Sequence, residues 1–226
     1  MDERAVRETV VRTARMMAGA GLAEAFGHVS ARWRDGFAIT STLPFVGAGP
    51  DDVIIVPDMA VPPSGVGGAP LETAMHAAVY MERSDVGAIC RGHPPAVVSW
   101  GAGIEDLPLL HGLGALAGEQ VAVHDDVDLV ATLVQGAAVA ATLNDAFAVI
   151  LRANGALTVG ATPLEALTRL YFLEERARVA LDGTTERGET DWGNRLRHTA
   201  AELPRAMAWV EATFGDPGSP RPRGRT

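Results

Sequence analysis

Four short segments place groups that can move protons or bind anions at spacings that bring them to one side of an element. In PLETAMHAAVY (70–80), Glu72, His76 and Tyr80 recur every fourth residue, on one face of a helix. In ICRGHPP (89–95), Arg91 and His93 are two apart, so in a strand they project to the same face. In FGHVSAR (26–32), His28 and Ser30 share a strand face, and Gly27 permits close backbone approach. In LRANGALTVG (151–160), a buried strand ends in Asn154-Gly155, a turn in which either residue can adopt the left-handed conformation. Glu72 reads either as a carboxylate for acid/base work or as a helix-start residue favoured by the dipole. His76 reads as a hydrogen-bonded helix residue that holds its neighbours. His93 sits at a strand end, where sites are built. On spacing alone, 151–160 reads as a tight turn, and His111 and His124 as surface or satisfied residues.

Composition limits the chemistry. All 19 basic residues of the 226 are arginine. Schiff-base catalysis needs a lysine amine that can lose its proton, so lysine aldolases and lysine-bound pyridoxal phosphate are excluded. A P-loop, GxxxxGK[ST], cannot be written either. The single cysteine, Cys90, rules out an internal disulfide and a cysteine-based zinc cluster. A net charge of −9 gives no electrostatic footprint for nucleic acid. No apolar run approaches the ~20 residues of a membrane span. The start, MDERAVRETVVRTARMM, has no signal-peptide core, so a cytoplasmic location is expected.

These groups need elements to aim them. Residues 3–20 have an amphipathic helical pattern, with Val6, Val10, Ala14 and Met17 on one face. Residues 28–33 and 37–41 read as a strand pair joined at Arg34-Asp35-Gly36. Further strands are expected at 51–56, 87–90, 119–124, 147–152 and 156–160. Helices are expected over 71–83 after Pro70, in a short stretch from 94, and over 128–143, 163–181 and 194–214. Residues 57–70 form a Pro/Gly-rich loop. Thr162-Pro163-Leu164-Glu165 is a capping box with proline at the first helical position. The alternation gives an α/β sandwich around one central sheet. Residues 1–214 are expected to form one domain, with a disordered tail, GDPGSPRPRGRT, over 215–226.

Taken in order, these segments resemble the class II aldolase/adducin family, from about residue 5 to 182. GHVSAR resembles the family's G-N-[IV]-S-x-R strand. ETAMHAAVY resembles its E-x3-H-x2-[IV]-Y helix, and SDVGAI the strand that follows. RGHPP resembles H-x-H-x-P, and LRANGALTVG resembles L-x-x-H-G-x-x-x-x-G. The resemblance implies a three-layer α/β/α sandwich around a mixed, largely antiparallel sheet. It also implies a homotetramer with its site between subunits, and a divalent metal (zinc, manganese or iron) on three histidines beside a catalytic glutamate. The family's reactions include aldol cleavage of sugar phosphates, decarboxylation, epimerisation and dehydration; its adducin-type members are not catalytic.

The match is incomplete where it matters most. Glu72 falls on the catalytic glutamate and His93 on the second metal histidine. Arg91 stands where the first histidine is expected and Asn154 where the third is. His28 replaces the asparagine of the substrate-binding strand, as in the decarboxylase-like branch. Ser30, Thr40 and Ser41 remain as substrate-binding candidates. The serine pair that helps hold phosphate before the glutamate is Pro70-Leu71 here, and STLPFVGAG departs from T-P-x-G, so a sugar phosphate is not expected. Arginine has no lone pair for a metal. At roughly 6 Å and an effective dielectric of ~20, it would repel a dication by about 5 kcal/mol. One histidine and one glutamate fall short of the three protein ligands of a catalytic zinc site. No cofactor is therefore expected; a rearranged metal would use His93 and Glu72, with His111 or a second subunit as a further donor.

Without the metal, Glu72, Arg91, His93 and Asn154 form a different catalytic set. Arg91 can grip a carboxylate or stabilise an enolate oxygen, Asn154 can donate to the same oxygen, and His93 or Glu72 can move a proton. The expected function is lyase-like: decarboxylation, retro-aldol cleavage or related enolate chemistry on a small oxo- or hydroxy-acid. The alternatives are a non-catalytic scaffold or small-molecule binder with a relic site, and a metal-dependent enzyme with a rearranged site.

Overall fold

The structure is a computed structural model that describes residues 2–60, 66–183 and 190–215. Its centre is a seven-stranded sheet in the order β3-β2-β1-β4-β7-β6-β5. The strands are β1 (His28–Trp33), β2 (Gly36–Thr40), β3 (Val53–Val56), β4 (Ala88–Gly92), β5 (Ala122–His124), β6 (Ala148–Leu151) and β7 (Ala156–Gly160). Every neighbouring pair is antiparallel except β5 and β6.

Alternation along each strand divides the apolar residues between two cores. Val29, Ala31, Ala38, Cys90, Ile150 and Ala156 face one side. There they meet α1 (Glu3–Gly19), α3 (Pro95–Trp100), α5 (Pro163–Asp182) and α7 (Thr199–Phe214). Phe37, Ile39, Ile89, Val149, Leu157 and Val159 face the other side, against α2 (Thr73–Glu82) and α4 (Leu133–Leu143). A sheet apolar on both faces and helices apolar on one produce the three layers, as expected. Helices α2 and α4 pack tightly because Gly136 lets them: a Cβ there would stand 2.7 Å from Ala74 O.

Several boundaries differ from the sequence reading. The helix expected from 128 starts at Leu133, because Thr132 and Gln135 exchange the bonds of a capping box. The helix expected from 71 starts at Thr73, since Pro70 O accepts from Thr73 N and closes a turn first. The helix expected over 194–214 divides into α6 (Gly193–Leu196) and α7, separated at Arg197-His198. Residues 148–160 form a hairpin, β6 and β7 being antiparallel, with β6 ending at Leu151. Part of the 57–70 loop and residues 216–226 of the expected tail lie outside the described residues.

Candidate active site

Strand register brings the candidate groups together. His28 of β1 pairs with Arg91 of β4, and Arg91 pairs with Leu157 of β7. His28, Ser30 and Arg91 point to the face covered by α2, because Val29 and Cys90 between them point the other way. Glu72 occupies the N-cap position of α2 without a side-chain capping bond, its carboxylate turned to Arg91 instead. The chain then reverses at Ala153–Gly155, with positive φ at Ala153 (53°) and Gly155 (89°) rather than at Asn154. Gly155 is required there: a Cβ would lie 2.1 Å from Gly92 O. That contact sets Asn154 beside His93.

The guanidinium of Arg91 is fully buried, at 0% exposure. Its Nη1 donates to Gly92 O at 2.8 Å and its Nη2 to Glu72 Oε1 at 3.4 Å. The pair is a single contact rather than a two-pronged fork. A permanent cation thus occupies the strand end, but it is turned to Glu72 and not presented to solvent. Burial lowers the Arg91 pKa, and Glu72 opposes that shift. His28 Nδ1 stands 3.9 Å from the other carboxylate oxygen, Glu72 Oε2.

His93 is the accessible member. Its backbone N donates to Leu22 O at 2.8 Å, and its ring Nδ1 lies 3.2 Å from Phe26 O. Burial first, then Arg91, hold His93 near a pKa of about 4, against the raising effect of Phe26 O and the neighbouring Asn154 side chain. It is therefore neutral at pH 7 and a weak proton acceptor there. Beside His28 opens a cleft of about 130 Å3, lined by Phe26, His28, Ser41, Thr42, Leu43 and Phe45 among others. Ser41 lies on that cleft, while Thr40 is 5% exposed and its Oγ1 accepts from Val29 N at 3.2 Å.

Ser30 is placed behind the site. Its Oγ is 2.8 Å from His76 Nδ1 and 2.8 Å from Tyr80 Oη, and the residue is fully buried. The i, i+4 row of Glu72, His76 and Tyr80 signalled one helix face, but not that Ser30 would be its partner. A second feature is absent from any sequence motif. Glu174 of α5 accepts from Ala96 N (2.9 Å) and Val97 N (3.1 Å), capping α3 three residues after His93. His111 is no neighbour of the site; it caps the 3-10 turn Gly112–Ala117 by accepting from Gly114 N.

The family model for the Class II Aldolase and Adducin N-terminal domain matches residues 8–181. The chain belongs to the class II aldolase/adducin family. L-fuculose 1-phosphate aldolase from Glaciozyma antarctica PI12 shares the fold at a TM-score of 0.76 and 21% identity, over 96% of this chain and 93% of that one. L-fuculose-1-phosphate aldolase from Thermus thermophilus is similar at a TM-score of 0.69 and 28% identity, over 79% and 95% of the two chains. An aldolase II superfamily protein from Pseudomonas syringae matches at 0.73 and 22%, over 95% and 96%. No curated protein sequence matches the chain. No helix among the described residues is long and apolar enough to cross a membrane.

Class II aldolases typically use zinc, and the donor set here does not fit it. Of the groups that the resemblance puts at metal-ligand positions, His93 is an imidazole, Arg91 is a buried cation and Asn154 is an amide. Among the described residues, no three His, Cys, Asp or Glu side chains are grouped to hold a metal ion. The chemistry of the set argues the same way, since Arg91 lies against Glu72, the remaining anionic donor.

The three imidazoles make stability depend on acid. His28, His76 and His93 all have pKa values lowered from 6.5, His76 to about 3 and His93 to about 4, with burial as the first cause in each. In the unfolded chain they protonate near pH 6.5; in the folded protein they do not until well below. The stability is thus fully present above about pH 6.5. It is lost as pH falls toward 4 for His93 and 3 for His76. The slope approaches about 1.4 kcal/mol per pH unit for each proton taken up. Urea midpoints recorded from pH 7 to 4 should fall with a proton uptake above two, and a flat profile would contradict this state of the cluster.

Proposed function

We propose that this chain is a lyase-like enzyme that performs decarboxylation, retro-aldol cleavage or related enolate chemistry on a small oxo- or hydroxy-acid without the family's zinc. The observation that carries this reading is the fully buried Arg91 guanidinium against Glu72, at the strand end where the metal histidine is expected. In the resting site the pair is neutral overall. When Glu72 takes a proton from the substrate hydroxyl, the carbon–carbon bond breaks and its electrons pass to the carbonyl oxygen. Arg91 then faces that enolate uncompensated. At roughly 6 Å and an effective dielectric of ~20 this is worth about 3 kcal/mol, gained in the transition state and not in the ground state. Asn154 donates to the enolate oxygen, and neutral His93, whose Nδ1–H is given to Phe26 O, orients the acid as an acceptor through Nε2. Return of the proton from Glu72 completes the product. His28 and Ser41, on the cleft, contact the rest of the substrate; Thr40 and Ser30 hold the strands and α2 behind it.

The half-exposed Leu43 and largely exposed Phe26 on the same cleft support a homo-oligomer that covers this rim, the tetramer of the resemblance. A cytoplasmic location agrees with the single reduced cysteine, Cys90.

The test is turnover of a panel of small oxo- and hydroxy-acids followed by product NMR. Glu72→Gln is expected to reduce turnover by roughly 10²–10⁴. A second reading, a scaffold or binder with a relic site, is favoured by the lining of the cleft beside His28, which includes neither Glu72 nor Arg91. It gains if Glu72→Gln and Arg91→Met leave turnover and ligand binding unchanged while the fold persists.

A further inference from the structure

Ser30, His76 and Tyr80 form a buried hydrogen-bonded chain behind the Glu72–Arg91 pair. Ser30 Oγ is 2.8 Å from both His76 Nδ1 and Tyr80 Oη. A hydroxyl has one proton and two lone pairs; if both neighbours donated to Ser30, its own proton would have no acceptor among the described residues, which leaves two directions for the chain. In the first, Tyr80 O–H donates to Ser30, Ser30 O–H donates to His76 Nδ1, and the His76 proton sits on Nε2. In the second, His76 Nδ1–H donates to Ser30 and Ser30 donates to Tyr80. The Tyr80 proton then has no acceptor among the described residues. His76 Nε2 has no partner there in either case. The first direction leaves one buried group unsatisfied and the second leaves two, so the first is favoured.

We propose that this relay fixes His76 as the Nε2–H tautomer and makes it a substrate-binding residue, a neutral donor reserved for an oxygen of the acid in the Glu72–His28–Arg91 cluster. A helical side chain leans over the turn N-terminal to it, which brings the His76 ring toward Glu72. Its ring meets His28 edge-on at 5.7 Å, and His28 Nδ1 is 3.9 Å from Glu72. His28 Nδ1 and Arg91 Nε are also buried and unpartnered among the described residues. Arg91 Nε–H and, in the favoured direction, His76 Nε2–H are buried donors without an acceptor among the described residues, and a carbonyl or carboxylate oxygen of the acid supplies one. Burial and Arg91 keep His76 neutral at physiological pH, so it donates without changing charge. Its functional half rests on the proposed acid chemistry; the tautomer does not.

Selective 15N-histidine NMR on the full chain tests this, with the His76 signal assigned by its loss in His76→Gln. The wild type should show Nε2 protonated and Nδ1 bare. Ser30→Ala should introduce an Nδ1–H population. An Nδ1–H wild type, or a Ser30→Ala protein with unchanged tautomer, overturns the relay. In turnover, His76→Ala should reduce kcat roughly ten- to hundredfold, as when a partner that orients a working group is removed. His76→Gln, which keeps an amide donor, should restore most of it. Equal losses in both variants contradict the donor role. A wild type that turns over no acid counts against the proposed function, while the tautomer is still read without substrate.

Discussion

Replacing Arg91 by methionine is expected to lower folding stability by about 3–5 kcal/mol. Methionine keeps much of the volume, so the loss is mainly electrostatic. Glu72, itself 7% exposed, would be left as a buried carboxylate without its cation. Adding Glu72→Gln to Arg91→Met should restore most of the loss, because the stranded charge is gone. A double-mutant cycle by urea denaturation at pH 7 reads the coupling directly. If Arg91→Met is as stable as the wild type, the pair contributes no more than an exposed ion pair, and the central role of this cation in the site is lost.

The second large effect is the gain of a metal. Arg91→His together with Asn154→His gives three imidazoles with His93, enough for a catalytic zinc site, and removes the cation that competes for Glu72. Each position is set by backbone that the change does not touch: Arg91 by its pairing with His28 and Leu157, Asn154 by the Gly155–Gly92 contact. The double variant should bind one zinc per chain with a Kd of micromolar or tighter, about −8 kcal/mol. At zinc a hundredfold above Kd it should gain about 2.7 kcal/mol of stability. Isothermal titration of wild type and variant side by side is the measurement. Equal zinc binding by both would show that the wild-type residues already form a metal site.

Much of the fold was legible because its signals are local. The strand alternation of HVSARW, the Thr162 cap before Pro163 and the Asn-Gly turn each act within a few residues, and each stands where expected. The four site segments also come together, which the family resemblance implied and their spacing alone did not. What was not legible depends on what crosses overhead. Parity placed Ser30 on the face of His28, yet only the path of α2 puts His76 and Tyr80 over its hydroxyl. Parity likewise paired Arg91 with His93, but one is buried and the other accessible. The covering segment around Leu22–Phe26 bonds His93 through two carbonyls and has no periodic pattern to announce it. Glu174 caps α3 from 77 and 78 residues away, which no window of sequence connects.

The most direct test of a cation in place of a metal is elemental analysis of the purified wild-type protein, made on the preparation whose turnover is followed with and without chelator. The expected result is far less than one equivalent of zinc, manganese or iron per chain, with turnover of a small oxo- or hydroxy-acid unchanged by chelation. One equivalent of metal, with activity lost on chelation and restored by its return, would contradict it.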